Sequence, residues 1–291
     1  MLSATSTREF AGSKFTSAIF LERKLRAHVV GRDRLVYDSR YAPPGKKPND
    51  VAHLYVQMHG TFAPMGGTAV TGRQAYVLAE SEFDRVMPGS RTFRSFGDRA
   101  LVIELRVPTR DLHRAVGLDH GQVELPDAVW DAYGAVEEAP TEAALHALIQ
   151  RLGEAGILSK DLIATIVTDE PERFARLWTV MKPLYEELST SVSLKQIATI
   201  ARLSLRQLGR DLGDLSRTFG LFGGGFRDAS RVIRLRAATL FLSAPNATPS
   251  EVARTVGYGS LDAMGRAFRD ANLPSPSVVQ DSVRYRGAET T

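Results

Sequence analysis

Between Phe15 and Val107 the apolar residues fall in short runs cut by glycine and proline, among them AHVVG, RLVYDSRY, AHLYVQMHG, QAYVLAES and ALVIELRVP. Several alternate apolar with polar positions or are rich in β-branched and aromatic side chains, the pattern of a half-buried strand. Turns are predicted at Pro43-Pro44-Gly45, Gly66-Gly67, Pro88-Gly89 and Gly97-Asp98. Many short strands joined this way predict an antiparallel sandwich or barrel. Residues 1–14, small and polar, are expected to be flexible. After Pro108 the texture changes. Residues 110–139 are mixed, and Pro140-Thr141 then opens a helical stretch. Leu145, Leu148, Ile149 and Leu152 make its apolar face, and Gly153 and Gly156 mark its end. A second helix is expected over Leu158–Val167, and a third from near Asp169 to about Leu188, with Pro171 in its first turn. In the third, Phe174, Leu177, Trp178, Met181, Leu184, Tyr185 and Leu188 form one broad stripe, either a core face or a contact between subunits.

The last hundred residues carry one pattern twice. SLKQIATIARLSLRQLGRDL runs Ser193–Leu212, and TPSEVARTVGYGSLDAMGRAF runs Thr248–Phe268. Each begins with a capping box, Ser193 with Gln196 and Thr248 with Glu251. Each continues with small and branched core residues, Ile197-Ala198 and Val252-Ala253. A second helix then opens at Ser204 or Ser260. Its buried side is Leu208 and Leu212 in one copy, Met264 and Phe268 in the other, at i, i+4. Arg210 and Arg266 sit two residues before the last anchor and so off that face. Two such helices joined by a short turn predict a helix-turn-helix unit. Gly213 to Gly225 is expected to break the helix, since DLSRTFGLFGGG ends in three glycines. Phe226–Phe241 then reads as a helix joining the two units. The fold class expected is therefore α+β. Flexible residues 1–14 precede a β-rich domain over 15–107, a mainly helical region over 108–190, a double helix-turn-helix domain over 191–276, and a tail over 277–291 that is partly ordered at best.

Charge sharpens this division. Residues 192–291 carry 14 Lys and Arg against 8 Asp and Glu, while residues 1–191 carry 23 against 25. Thirteen of the 14 cations are arginine, whose planar fork reads guanine and clamps phosphate. A basic C-terminal third suggests a nucleic-acid module attached to something else. The chain has no cysteine, which rules out disulfides, thiolate metal sites and cysteine nucleophiles. No run of eighteen apolar residues predicts a membrane span, and the first residues hold no apolar signal core, so a cytoplasmic protein is expected. In the β-rich block His53 and His59 are six apart and share a strand face, but no H-x-H pair with a following carboxylate stands near; two solvent-facing histidines are expected. Arg73, Tyr76 and Glu82 are possible pocket residues. Gly66-Gly67 lacks the setting and the lysine of a phosphate loop. No carboxylate pair, nucleophile triad or ligand cluster is evident, so neither a catalytic residue nor a metal or cofactor is assigned.

Residues 193–276 resemble the DNA-binding domain of AraC-type transcriptional regulators. The resemblance rests on Leu194, Ile197-Ala198, Ser204-x3-Leu208 and Arg234-Leu235-Arg236-x-Ala238. It continues through Val252-Ala253, Gly257-Tyr258, Arg266-x-Phe268 and Ser275-Pro276. Many members of that family carry a cupin-like sensor or dimerisation domain, which residues 15–107 resemble in arrangement. The chain departs from the family pattern at several points. Gly213-Asp214 stand where a Lys or Arg is usual, the connection is longer by about six residues, and Asn272-Leu273 replace an aromatic and a glycine. Gly209 lies in the first reading helix, and the contact positions of the second are Leu261, Asp262 and Gly265.

The resemblance implies a sequence-specific regulator of transcription that binds double-stranded DNA. The residues assigned to the groove are Arg206, Gln207 and Arg210 in the first unit, with Arg266 and, nearer its edge, Arg269 in the second. Asp262 can accept a hydrogen bond from cytosine but repels phosphate. Gln207, third residue of a helix capped by Ser204, is divided between DNA and the cap. A small-molecule effector, a homodimer formed through the β domain or the Phe174–Leu188 stripe, and contact with the transcription machinery are the partners this implies. The rival reading is a protein-interaction regulator that keeps the helix-turn-helix fold without tight DNA binding.

Overall fold

The computed structural model describes residues 1–43, 50–64, 69–79, 93–112, 120–166, 171–187, 193–221 and 225–284. Leu2–Phe10 (β1) and Ser13–Leu21 (β2) pair from Leu2↔Leu21 to Phe10↔Ser13. Ala11 and Gly12, at φ 49° and 78°, close the hairpin. A two-residue loop with both residues left-handed has the twist that paired strands require. The polar N-terminus is thus a strand, not the flexible segment its composition predicts. Long-range contact overrides local preference here: Leu2 and Ala4 are buried, and Trp178 donates its indole N–H to Ser3 O at 2.9 Å.

The sheet continues with Arg26–Asp38 (β3), Val51–Gln57 (β4), Thr61–Pro64 (β5), Val70–Thr71 (β6), Gln74–Ala79 (β7), Phe93–Pro108 (β8) and His120–Val123 (β9). Its order is β1-β2-β3-β8-β4-β7-β9, with β5 paired to β6 and β8, and every pairing is antiparallel. The strands therefore reach beyond Val107. Gly97-Asp98, expected as a turn, lies inside the long strand β8. A Cβ at Gly97 would stand 2.8 Å from the Cα of Gly60, so the glycine serves close backbone approach. Pro44-Gly45, Gly66-Gly67 and Pro88-Gly89 lie outside the described residues, as does Glu82.

Ten α-helices follow among the described residues. They are Asp127–Glu138 (α1), Glu142–Glu154 (α2), Lys160–Ala164 (α3), Glu172–Glu187 (α4), Leu194–Ala201 (α5), Leu205–Phe219 (α6), Phe226–Leu242 (α7), Pro249–Thr255 (α8), Leu261–Asp270 (α9) and Pro276–Val283 (α10). Thr141 caps α2, whose predicted face of Leu145, Leu148, Ile149 and Leu152 is fully buried. The helix expected over Leu158–Val167 is shorter: Leu158 bridges to Leu112, and Ser159 caps α3. No helix is long and apolar enough to cross a membrane among the described residues.

Strand β2 shows how the layers share the sheet. Ala18 and Phe20 enter a core completed by α1 to α3. Ile19 and Leu21, on the opposite face, meet Phe174, Leu177, Trp178, Met181 and Leu184 of α4 together with residues of α5, α6 and the start of α7. Side chains alternate along a strand, so one strand feeds two cores. A third core joins Phe15 and Val36 of the sheet to the rest of α7 and to α8, α9 and α10. The α4 stripe is therefore interior to this chain. Of the two readings of that stripe, the core face is the one seen; Leu188 lies outside the described residues.

Two further expectations change. Helix α6 continues through Gly213 to Phe219 and ends on Gly220 in the left-handed conformation. Leu215 and Phe219 extend the buried row of Leu208 and Leu212, and packing of that row outweighs about 1 kcal/mol for each helical glycine. The tail is helical to Val283. Val279 and Val283 are buried, and Gln280 donates to Ala247 O at 2.8 Å.

Candidate nucleic-acid interface

The two helix pairs are built alike. In α5 the Ser193 hydroxyl accepts from Gln196 N at 3.2 Å, and Gln196 accepts in return from Ser193 N at 2.7 Å. Thr248 and Glu251 do the same at the start of α8, at 3.3 and 3.1 Å. Two orphan amides are satisfied at each start, which fixes where the chain enters. Arg202 (φ 55°) turns the first pair, and Gly257 (φ 80°) turns the second. Both second helices then open on a serine, which accepts from Gln207 N at 3.2 Å or Ala263 N at 3.1 Å. Leu208 and Leu212 anchor α6, and Met264 and Phe268 anchor α9, all buried as the periodicity predicts.

That burial points the opposite faces outward. Arg206 and Arg210 of α6 are exposed, as are Asp262, Arg266 and Arg269 of α9. No ion pair or hydrogen bond among the described residues holds any of these four arginines. Arg217 and Arg231, by contrast, pair with Asp214 and Asp228 three residues away on the same helix. Gln207 is different. Its amide donates to Asp211 Oδ1 at 2.7 Å, and Asp211 is buried. The side chain therefore does not return to the cap, because the buried carboxylate one turn on holds it.

The sheet grips the first pair, and the connecting helix grips the second. Arg26 and Arg106 each donate to Gly220 O, at 2.9 and 3.0 Å, and so fix the far end of α6. Arg234 of α7 donates to Gly257 O in the turn of the second pair at 3.4 Å. Beneath α7 lie two adjoining cavities of about 80 and 70 Å³, both lined by His28, Val30, Arg236 and Leu240. Arg236 points inward and hydrogen-bonds Tyr37. Burial, aided by the charge of Arg236, pushes the His28 imidazole down to about 3, so His28 is neutral near pH 7. Burial alone would raise Glu104, but the His53 hydrogen bond at 2.7 Å and the nearby charges of His53, Arg26 and Arg236 hold it well below the usual carboxylate range.

His53 is therefore a buried partner of Glu104 and not the solvent-facing residue expected. His59 lies beyond the end of β4 and stands 3.3 Å from Glu137. Arg73 pairs with Asp127 at 2.8 Å and lies over Trp130. No group of three metal-ligating side chains occurs among the described residues. Nothing in the sequence marks this cavity: Arg236 stands out there only in the Arg234-Leu235-Arg236 motif, and His28, Tyr37 and Tyr55 join it only through pairing of β3, β4 and β8 under α7.

No protein-family model matches the sequence, and no curated protein matches it. Among solved structures the chain is similar to ToxT from Vibrio cholerae, at 10% identity and TM-score 0.38, over 88% of this chain and 98% of that one. It is similar to the AraC-like transcriptional activator CuxR at 14% identity and TM-score 0.33, over 88% of this chain and 92% of the other. A third similarity, to the EutQ protein of Clostridium difficile, covers 35% of this chain and 75% of that one at 12% identity and TM-score 0.22.

Proposed function

We propose that the chain is a transcriptional regulator that binds double-stranded DNA in a sequence-specific way through α6 and α9. One observation carries this reading. Two equally built helix pairs each hold a second helix by its buried face and present arginines that no partner among the described residues neutralises. An unpaired arginine on a helix of this kind can read guanine or grip phosphate. Arg206 and Arg210 act in the first unit, Arg266 and Arg269 in the second, and Asp262 beside them accepts from cytosine or weakens phosphate attraction. Gln207, whose amide donates to Asp211 in the free chain, exchanges that hydrogen bond for a base edge on binding. The cavities beneath α7 would take a small effector. A ligand there touches the sheet and the connecting helix at once, and so bears on how the two units are held.

Arg210→Ala and Arg266→Ala are each expected to weaken specific binding by about 1–3 kcal/mol and to relax preference at one base pair. Competition titrations against a duplex enriched from a random pool measure this. An arginine that touches only phosphate would instead lower binding to all sequences alike, with a shallower salt slope. If neither substitution alters any DNA affinity, the assignment of these helices to the groove is wrong.

A further inference from the structure

Four large hydrophobic side chains are exposed among the described residues, Ile200, Leu205, Leu261 and Val278. Two of them occupy the same place. Leu205 and Leu261 are the first residues of α6 and α9, directly after the capping serines, and are 58% and 37% exposed. The likeness goes further. The first unit reads Ser204-Leu205-x-x-Leu208-Gly209-Arg210, and the second reads Ser260-Leu261-x-x-Met264-Gly265-Arg266. Each leucine is followed at i+4 by a glycine on the same face. A Cβ built on Gly209 or Gly265 meets nothing within 4 Å, so packing inside the chain does not require either glycine. Both weaken a helix that alanine would strengthen. An exposed leucine with bare backbone behind it, repeated in both units, suits a surface that something outside the chain must approach closely.

We infer that Leu205 and Leu261 read the 5-methyl group of thymine in the major groove, while Gly209 and Gly265 let the helix backbone lie against the base edges. This rests on the DNA-binding reading above. The first turn of such a helix is the part that meets base edges, and the thymine methyl is the apolar group the major groove of unmodified DNA displays. Arginine at the next position adds guanine. Each half-site therefore holds a thymine close to a guanine, and the two half-sites resemble one another. Arg206 against Asp262 is what tells the halves apart.

The test uses the full chain and a duplex enriched from a random pool, in which deoxyuridine replaces each thymine in turn. Removing the one contacted methyl should weaken binding about three- to fivefold, the worth of one methyl group withdrawn from water. Sensitivity should disappear in Leu205→Ala for one half-site and in Leu261→Ala for the other. Gly209→Ala and Gly265→Ala should raise the unfolding temperature and yet weaken binding, a combination that a merely structural role would not give. Insensitivity to every deoxyuridine, or sensitivity that survives the leucine substitutions, would overturn the methyl assignment and leave DNA binding standing. Alanine at both glycines without loss of affinity would overturn the close approach. If the chain selects no sequence at all, the DNA-binding reading fails first and this inference with it.

Discussion

Phe268→Ala is expected to destabilise the chain by about 3–5 kcal/mol, the range for removing a large buried aromatic side chain. Phe268 is fully buried among residues of α7, α8 and α9, in a core that also takes Phe15 and Val36 from the sheet. The ring is the last buried anchor of α9, and its loss leaves a cavity that the capped α8 and the Arg234-held turn cannot readily close. Arg269→Ala, one residue on and exposed, should stay within about 0.5 kcal/mol of the parent. Chemical denaturation of both variants checks this. Equal loss in the two would mean that α9 is not held by its buried face.

A second large effect is expected on acidification. His28 is held down to about 3 by burial and the charge of Arg236, against about 6.5 in an unfolded chain. Between those values the unfolded chain binds the proton first, so stability falls as pH falls. The slope is at most about 1.4 kcal/mol per pH unit, or about 2–3 kcal/mol from pH 6.5 to 4.5. Glu104 works in the same direction below its unfolded value, since its folded carboxyl is held lower. Unfolding midpoints across pH 7 to 4.5 should therefore decline in the parent and flatten in His28→Gln. Equal decline in both would remove His28 as the cause. The group faces Ser17, Glu104, Arg26 and Arg236, so the effect reports on the cavity beneath α7.

What could be read from the sequence was local. Capping boxes at Ser193 and Thr248 and serines at 204 and 260 join residues three apart, and such contacts are written in the order of the chain. The anchors Leu208, Leu212, Met264 and Phe268 follow from helical period alone. Misreadings arose where a distant partner decides. Residues 2–10 are polar and small, yet β2 pairs them throughout and α4 covers them. The stretch from Gly213 to the glycine run ending at Gly225 argued for a break, yet Leu215 and Phe219 find a core that carries α6 onward. His53 looked free on its strand, but Glu104 arrives from β8 beside it. The outward arginines were legible because exposure there is the complement of a helical stripe. The inward turn of Gln207 was not, because it depends on Asp211 being buried.

The most direct measurement is selection of double-stranded DNA from a random pool by the full chain, followed by salt titration of the enriched duplex against a scrambled one. Enrichment of two short elements about one helical turn apart is expected, matching two reading helices on one face of the duplex. At physiological salt the enriched duplex should bind on the order of a thousandfold or more tighter than the scrambled one. Its affinity should fall steeply with added salt as phosphate contacts are lost. A pool that yields no common sequence, with both duplexes bound equally or not at all, would contradict the account and favour a regulator that works through protein contacts alone.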